Sequence, residues 1–230
     1  MGATGETLPF LRNSYWILRH GRSIPNEKGI IVSSMENGTL KEFGLTPEGM
    51  QQAKLAGELF HKELKARNIS MDAVRICYSP FSRTTHTSKI VAEELGIPFE
   101  SFQCKVMKEL RERFFGPPFE LLSHDKYAEI WALDEDDPFR SPEGGESAAE
   151  VGSRLLTALE AMEAEYQGCS ILVVSHGDPL QIFQTILRAA KDEISLGADI
   201  SSRIKRVMTH SVLTQHRNFA LLTAELIQIK

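Results

Sequence analysis

Residues Tyr15–Ser23 read Tyr-Trp-Ile-Leu-Arg-His-Gly-Arg-Ser. Four bulky residues that favour strands end abruptly at Arg19 and His20, and the glycine that follows allows a tight turn. A second strand-like run, Ser170–Ser175, ends in the same way at His176. Because open α/β sheets bind ligands at the carboxyl ends of their strands, we expect these side chains to meet and to bind an anion. The alternative is a solvated arginine with two histidines that belong to the core.

The alternation of strand-like and helical segments predicts an α/β fold. Ala73–Tyr78 is the next strand, a helix follows to about Leu95, and Ile97–Phe99 begins a short third strand. This order indicates parallel strands with helices packed on both faces of the sheet. We therefore expect a three-layer α/β/α sandwich with a mixed, mostly parallel central sheet. Since no linker or repeat interrupts the chain, residues 1–230 are expected to form one domain.

Two long helices have clear start signals. Thr46 is placed to cap a helix that fades near Asn68. Ser147 and Glu150 have the spacing of a capping box at the start of another long helix. A further helix is expected from about Pro179 to Ala190, after the second strand that ends in histidine.

The remaining segments are less regular. We expect a polar loop over Ile24–Gly44, a helix over about Leu122–Trp131, and a solvated acidic loop over Asp134–Pro138. Two β-rich runs, Arg206–Gln215 and Ala220–Ile229, predict a hairpin at the edge of the sheet.

Composition excludes several classes of function. The chain has 230 residues, of which 42% are hydrophobic and 25% are charged, and the formal net charge is −5. Neither nucleic acid nor an acidic membrane surface is therefore an expected partner. Cys77, Cys104 and Cys169 form no CxxC motif, which indicates a reducing compartment. No run reaches the ~20 apolar residues of a membrane span and Met1–Thr7 lacks a signal-peptide pattern, so we expect a cytoplasmic protein.

Six short motifs follow one another along nearly the whole chain. They are Leu18–Ser23, Leu45–Ala53, Tyr78–Thr87, Leu110–Gly116, Gly144–Ser147 and Val174–Gly177. Each alone is a weak signal, but the ordered set resembles the signature of the histidine phosphatase superfamily, in its phosphoglycerate mutase-like branch. The resemblance implies the same α/β/α sandwich and a phosphoryl-transfer site.

The resemblance also implies a role for each candidate residue. His20 would be the nucleophile that becomes phosphohistidine, and Glu112 would protonate the leaving oxygen and then activate water. Phosphoryl transfer requires mainly positioning and positive charge around three equatorial oxygens, and guanidinium groups supply both. The residues expected to hold these oxygens are Arg19, Arg83, His176, Asn26 and Ser23.

The acid has one competitor, Glu109. The register with Phe115 favours Glu112, and burial beside Phe114 and Phe115 would raise the pKa of the Glu112 carboxyl, as a general acid requires. A histidine nucleophile must be neutral at the attacking nitrogen. Its other ring nitrogen therefore needs an acceptor, which the sequence does not identify.

Departures from the mutase pattern favour a phosphatase. The segment Pro117–Glu143, between the acid motif and Gly144–Ser147, is short and acidic in its middle. The phosphoglycerate mutases that the chain resembles carry a longer insert here, with extra arginines. Asp178 stands where those mutases usually have asparagine. We therefore expect a phosphomonoesterase that acts on a small phosphorylated metabolite. A phosphoglycerate mutase-type transfer and a phospho-ligand binding module without turnover are the alternatives.

No cofactor is expected. The histidines His61, His124, His210 and His216 have no metal-ligand spacing, and the chain contains no HExxH, P-loop or GxGxxG pattern. His86 is expected at the surface of the helix that follows Arg83. A homodimer is compatible with the sequence.

Overall fold

The structure is a computed structural model that describes residues 10–193 and 199–229. Met1–Thr7 lie outside the described residues. The strands are β1 (Ser14–Arg19), β2 (Val74–Tyr78), β3 (Cys104–Val106), β4 (Ser170–Ser175) and β5 (Leu226–Ile229). They form one sheet in the order β3-β2-β4-β1-β5. β1 to β4 run parallel, whereas β5 is antiparallel to β1.

Helices cover both faces of this sheet. In chain order they are α1 (Ile24–Lys28), α2 (Met35–Gly38), α3 (Pro47–Ala66), α4 (Ser82–Leu95), α5 (Tyr127–Asp136), α6 (Ala148–Glu165), α7 (Gly177–Asp192), α8 (Ile200–Val207) and α9 (His210–Leu213). The buried residues of α3 and α4 form one core with the sheet, and those of α6 and α7 form another.

Alternating side chains of β1 explain the two helical layers. Tyr15 and Ile17 belong to the core shared with α6 and α7, whereas Trp16 and Leu18 belong to the core shared with α3 and α4. Successive side chains of a strand face opposite sides of the sheet, and all four are buried here. This is the pattern of a parallel strand covered on both faces. The predicted three-layer sandwich with a mixed, mostly parallel sheet is confirmed.

The strand register brings the two histidine-glycine pairs to one edge. Arg19 pairs with Ser175 at the ends of β1 and β4. The amide of His20 donates to the carbonyl oxygen of Ser175 at 3.1 Å. β2 lies on the other side of β4, and the turn after β2 leads into α4, which carries Arg83. Three adjacent strand ends therefore meet around one point.

Both predicted helix caps are present. The Thr46 hydroxyl accepts a hydrogen bond from the Gly49 amide at 3.0 Å, and α3 ends close to its expected end. At the start of α6, the Ser147 hydroxyl accepts from the Glu150 amide at 3.0 Å, and the Glu150 carboxylate accepts from the Ser147 amide at 2.7 Å. These local signals fix where the helices that flank the site begin.

The third strand lies later in the chain than predicted. Ile97–Phe99 is not a strand, and β2 pairs instead with Cys104–Val106. α4 ends at Leu95, and its C-cap, Gly96, adopts the left-handed conformation. Ile97 then packs into the core of α3 and α4. Pro98 has no amide hydrogen to donate to a strand ladder. The edge of the sheet is therefore formed by the next extended segment.

The predicted edge hairpin is wrong in its first half. Residues 206–215 contain the end of α8 and the whole of α9. Val207 and Leu213 are buried in the core shared with α7, which short helices reach without any strand pairing. Of the second run, Leu226–Ile229 forms β5, which pairs with β1.

The acidic segment is partly buried, contrary to the prediction. α5 extends to Asp136 instead of ending at Trp131, and Asp134 is only 1% exposed. Its carboxylate binds the fully buried Arg113 through two hydrogen bonds of 2.6 and 2.8 Å. It also lies 3.2 Å from Nε2 of His216. A buried cation from a distant segment therefore holds this acid inside the protein.

The predicted polar loop over 24–44 contains α1 and α2 and is anchored by Glu120. The side chains of Ser33, Ser34 and Asn37 donate to its carboxylate at 2.7, 2.8 and 2.9 Å. Burial alone would raise the pKa of Glu120, but these hydrogen bonds together lower it. The segment next to the site is thereby tied to residues that follow the acid motif.

Removal of the Asp134 carboxylate should destabilise the fold strongly. In Asp134→Ala the buried charge of Arg113 loses its two-point partner, which should cost about 3–5 kcal/mol in the free energy of unfolding. Urea denaturation followed by circular dichroism measures the change. The control is Glu129→Ala on the same helix, whose exposed ion pair with Lys126 should contribute less than about 1 kcal/mol. Equal losses in the two variants would contradict this view of the ion pair.

Candidate active site

The carboxyl end of β1 adjoins a small cavity of about 30 Å³. It is lined by all but one of the predicted site residues, namely Arg19, His20, Ser23, Asn26, Arg83 and Glu112. The remaining one, His176, is fully buried, and its ring centroid lies 5.3 Å from that of His20. The structure therefore brings residues from four of the six motifs together at one small volume.

Arg83, in the first turn of α4, connects the two histidines. Its Nε–H donates to Nε2 of His20 at 3.0 Å and to Nδ1 of His176 at 3.2 Å. Its Nη2 donates to the carbonyl oxygen of Val32 at 3.0 Å. Nη1 is buried and has no hydrogen-bond partner among the described residues. Because a guanidinium carries five N–H donors in one plane, donors remain for an anion in the cavity.

The ring of His20 is held as one neutral tautomer. Nδ1 lies 2.7 Å from the carbonyl oxygen of Gly21, which can only accept, so Nδ1 carries the hydrogen and Nε2 carries the lone pair. Burial, followed by the charges of Arg83 and Arg19, lowers the pKa of His20 well below 6.5. At neutral pH the ring is therefore an uncharged base, as a nucleophile must be.

His176 is positioned by Ser79, at the end of β2. Nε2 of His176 lies 2.8 Å from the Ser79 hydroxyl, while Nδ1 accepts from Arg83, so the hydrogen is on Nε2. Burial and then the charge of Arg83 lower the pKa of His176 well below 6.5. Two neutral imidazoles therefore flank one cation, and the positive charge of this group comes from the arginines.

Glu112 completes the group. Its Oε2 atom lies 3.5 Å from Nη2 of Arg83 and 3.7 Å from Nδ1 of His176. Burial raises the pKa of Glu112 to about 7, although the charge of Arg83 opposes this rise, and the charge of Asp178 adds to it. A carboxyl with this pKa can hold or release a proton near neutral pH, as general acid–base catalysis requires.

Glu109, the competing carboxylate, lies elsewhere. It lines a separate cavity of about 610 Å³ together with Lys108 and Arg111. Glu112 rather than Glu109 lies beside Arg83. The geometry favours Glu112 as the acid, and its role stays a prediction.

Ser23 and Asn26 form the capping box of α1. The Ser23 hydroxyl donates to Oδ1 of Asn26 at 2.8 Å and accepts from the Asn26 amide at 3.3 Å. The single hydroxyl hydrogen of Ser23 is thereby used, which leaves none for a phosphoryl oxygen. Asn26 keeps the two donors of its side-chain Nδ2 and lines the cavity, so it is the better candidate of the two.

Arg19 lies where the small cavity meets a larger cleft. Its Nη1 donates to the carbonyl oxygen of Leu221 at 2.6 Å, and its Nε is buried without a partner among the described residues. Gly177 lies against the guanidinium, because a Cβ at this position would be 3.7 Å from Cζ of Arg19. The predicted cation at the end of β1 is thus present and available to an anion.

The larger cleft has a volume of about 470 Å³ and shares part of its lining with the small cavity. Sequence reasoning missed several residues of the cleft, because they lie outside the six motifs. They are His124, Tyr127, Trp131, Gln181 and Arg217. One sequence signal could have indicated part of this group. His124, Tyr127 and Trp131 have a spacing that is typical of one face of a helix.

Within residues 10–193 and 199–229, no three His, Cys, Asp or Glu side chains are grouped as ligands for a metal ion. In the same part of the chain, no helix combines the length and apolar character needed to cross a membrane. Independence from metals and cofactors stays a prediction.

The chain matches a known protein family over most of its length. The sequence model of the histidine phosphatase superfamily (branch 1) matches residues 15–214. The chain therefore belongs to the histidine phosphatase superfamily. The resemblance carried by the six motifs is confirmed.

Similar proteins include both phosphatases and a mutase. A probable phosphoglycerate mutase of Serratia proteamaculans is 29% identical over 169 residues, which cover 70% of this chain and 68% of that protein. The mycobacterial glucosyl-3-phosphoglycerate phosphatase superposes with a TM-score of 0.66 at 19% identity, over 94% of this chain and 88% of that one. The Entamoeba histolytica phosphoserine phosphatase in complex with 3-phosphoglyceric acid has a TM-score of 0.63 at 18% identity, over 93% and 88%. The two structures share the fold of this chain.

Loss of the Arg83 guanidinium should weaken anion binding at this site. We expect Arg83→Gln to bind orthovanadate at least about 100-fold more weakly, because two or more charge-assisted hydrogen bonds are lost. Isothermal titration calorimetry measures the affinity, and circular dichroism checks the fold. The control is Arg75→Gln, since Arg75 packs over the rings of Phe102 and Tyr166 instead of lining the cavity. Unchanged affinity in a folded Arg83→Gln protein would contradict the assignment.

Proposed function

We propose that this protein is a phosphatase that hydrolyses a small-molecule phosphate monoester through a phosphohistidine on His20. The observation that carries the proposal is the contact of one buried guanidinium with two neutral imidazoles, beside a carboxyl whose pKa is about 7. This arrangement suits a dianionic phosphoryl group on one side and a proton donor on the other.

In the first step, Nε2 of His20 attacks phosphorus and the bond from phosphorus to the ester oxygen breaks. The protonated carboxyl of Glu112 gives its proton to the departing oxygen, so the alcohol leaves uncharged and Glu112 becomes a carboxylate. Arg83 and Arg19 would bind the equatorial oxygens, where charge is spread in the transition state. The raised pKa of Glu112 supports its presence as the acid in this step.

In the second step, water attacks phosphorus on the phosphohistidine. The Glu112 carboxylate accepts a proton from this water, the nitrogen–phosphorus bond breaks, and its electron pair returns to Nε2 of His20. Inorganic phosphate then leaves, with both residues in their starting states. The backbone carbonyl that accepts from Nδ1 supports one ring tautomer throughout the cycle.

Mutase-type transfer is the second candidate, because the Serratia relative bears a mutase name. A mutase must keep the phosphohistidine away from water until the phosphoryl group returns to the substrate. The open cleft beside the small cavity supports hydrolysis instead. A binding module without turnover remains the third candidate, but the complete set of catalytic side chains argues against it.

The expected ligand is a small phosphorylated metabolite. The Entamoeba relative was solved with 3-phosphoglyceric acid, which supports this ligand class without naming the substrate of this chain. The cytoplasmic location and the homodimer stay predictions.

A panel of phosphorylated metabolites in the presence of EDTA tests the function. We expect release of inorganic phosphate by the wild type, with kcat/KM at least about 10⁴-fold lower in His20→Ala and about 10²–10⁴-fold lower in Glu112→Gln. The control is His86→Ala, since His86 is on α4 beside the Arg83 turn but lines neither cavity. Interconversion of 2- and 3-phosphoglycerate without free phosphate would favour the mutase, and no turnover on any ester would favour the binding module.

The pH dependence should separate the acid from the nucleophile. Because Glu112 must be protonated to act and its pKa is about 7, kcat/KM for an alkyl phosphate should fall about tenfold per unit as the pH rises above 7. Because the pKa of His20 is lowered below 6.5, its protonation should not limit the rate at neutral pH.

The matched comparison is Glu112→Gln, which should lose the alkaline limb of the profile. A substrate with a nitrophenolate leaving group, which needs no proton, should show a weaker alkaline limb in the wild type. An alkaline limb that persists unchanged in Glu112→Gln would contradict the assignment of the acid.

A further inference from the structure

Three aromatic rings follow one another along the larger cleft. The ring centroids of His124 and Tyr127 are 5.3 Å apart, and those of Tyr127 and Trp131 are 5.9 Å apart with planes only 6° from parallel. The guanidinium of Arg217 lies over the indole, with Cζ 3.5 Å from the ring centroid. All four side chains line the same cleft. The row of rings therefore ends at Trp131, whose face contacts the guanidinium of Arg217.

The charge of Arg217 distinguishes it from the other arginines of the cleft. Among the described residues, Arg217 makes no ion pair, whereas Arg22, in the same cleft, pairs with Glu48 at 2.9 Å. Arg19 lines the small cavity and is placed for the phosphoryl group. Of the arginines that line the cleft, Arg217 is thus the one left for a different anion.

The acids of the cleft do not compensate this charge either. Asp178 pairs with the buried Arg113 at 3.3 Å. Burial raises the pKa of Glu112 to about 7, so this carboxyl is partly uncharged at neutral pH. An anionic ligand would therefore meet a net positive wall at Arg217.

Stacking on the indole does not use the hydrogen-bond donors of Arg217. The indole contacts the face of the guanidinium, whereas its N–H donors point outward in the plane. The backbone that carries Arg217 is held on both sides. His216 is buried against Asp134, and the carbonyl oxygen of Phe219 accepts from Nε2 of Gln184 at 3.2 Å. Such a fixed cation loses little conformational freedom when a ligand binds.

A second polar group is available in the same cleft. Gln181 is only 5% exposed, and its buried Oε1 has no hydrogen-bond partner among the described residues. An unpaired buried acceptor is costly, and a ligand hydroxyl group would satisfy it.

We infer that Arg217 binds a second anionic group on the leaving-group part of the substrate. The substrate class is therefore a hydroxylated phosphate monoester that also bears a carboxylate or a second phosphate. This inference rests on the proposed function and adds to it the residue that selects the substrate.

Two matched substrate pairs test the inference. 3-Phosphoglycerate and glycerol 3-phosphate differ by a carboxylate, and fructose 1,6-bisphosphate and fructose 6-phosphate differ by a second phosphate. We expect the wild type to prefer the member with the extra anion, by kcat/KM for phosphate release, at least ~10-fold in one pair. In Arg217→Gln that ratio should fall about 10- to 100-fold, because a charge-assisted contact is lost. The substrate pair whose ratio falls in Arg217→Gln shows whether Arg217 binds a carboxylate or a second phosphate.

The matched control is Arg188→Gln. Arg188 also stacks on a ring, with Cζ 4.9 Å from the centroid of Phe219, but it lies outside the cleft. The ratio should not change in this variant, and Trp131→Leu should lower it, since the Arg217 guanidinium loses its support.

Two results would overturn the inference without affecting the proposed phosphatase activity. One is a kcat/KM ratio near one in both substrate pairs, and the other is a ratio that is the same in Arg217→Gln as in the wild type. If neither these four esters nor p-nitrophenyl phosphate are hydrolysed, the proposed function fails and the inference fails with it.

Discussion

The site depends on one shared hydrogen, the Nε–H of Arg83, which points to both Nε2 of His20 and Nδ1 of His176. This contact requires β1 and β2 to lie on either side of β4 and all three strands to end at the same edge of the sheet. The parallel register provides this arrangement. A buried guanidinium is costly unless its donors are satisfied, and the carbonyl of Val32 and the carboxyl of Glu112 supply further partners. The sheet order is therefore a condition for the chemistry and not only for the fold.

Burial shifts the pKa values of His20 and Glu112 in opposite directions. It penalises the charged form of each group, so it lowers the pKa of His20 and raises that of Glu112 to about 7. The result near neutral pH is a free base beside a partly protonated carboxyl, and the proposed first step uses this pair of states. One physical cause thus shifts the protonation of the two groups in opposite directions.

The sequence predicts those parts of the molecule that local chemistry decides. The abrupt end of a strand at Arg19 and His20 and the cap at Ser147 could be recognised without any knowledge of distant contacts. Asp134 was misjudged as solvated, because its burial depends on Arg113, and no local pattern connects the two. The cleft residue Arg217 was missed for the same reason, since its position is defined by the ring of another segment.

Capture of the phosphorylated protein tests whether His20 carries the phosphoryl group during turnover. The wild type is incubated with the best ester of the panel, radiolabelled in its phosphate, quenched in alkali and mapped by mass spectrometry of its peptides. We expect an acid-labile phosphoryl group on Nε2 of His20 and none in His20→Ala. Label on His176 or on a carboxylate, or continued turnover with no label at all, would contradict it.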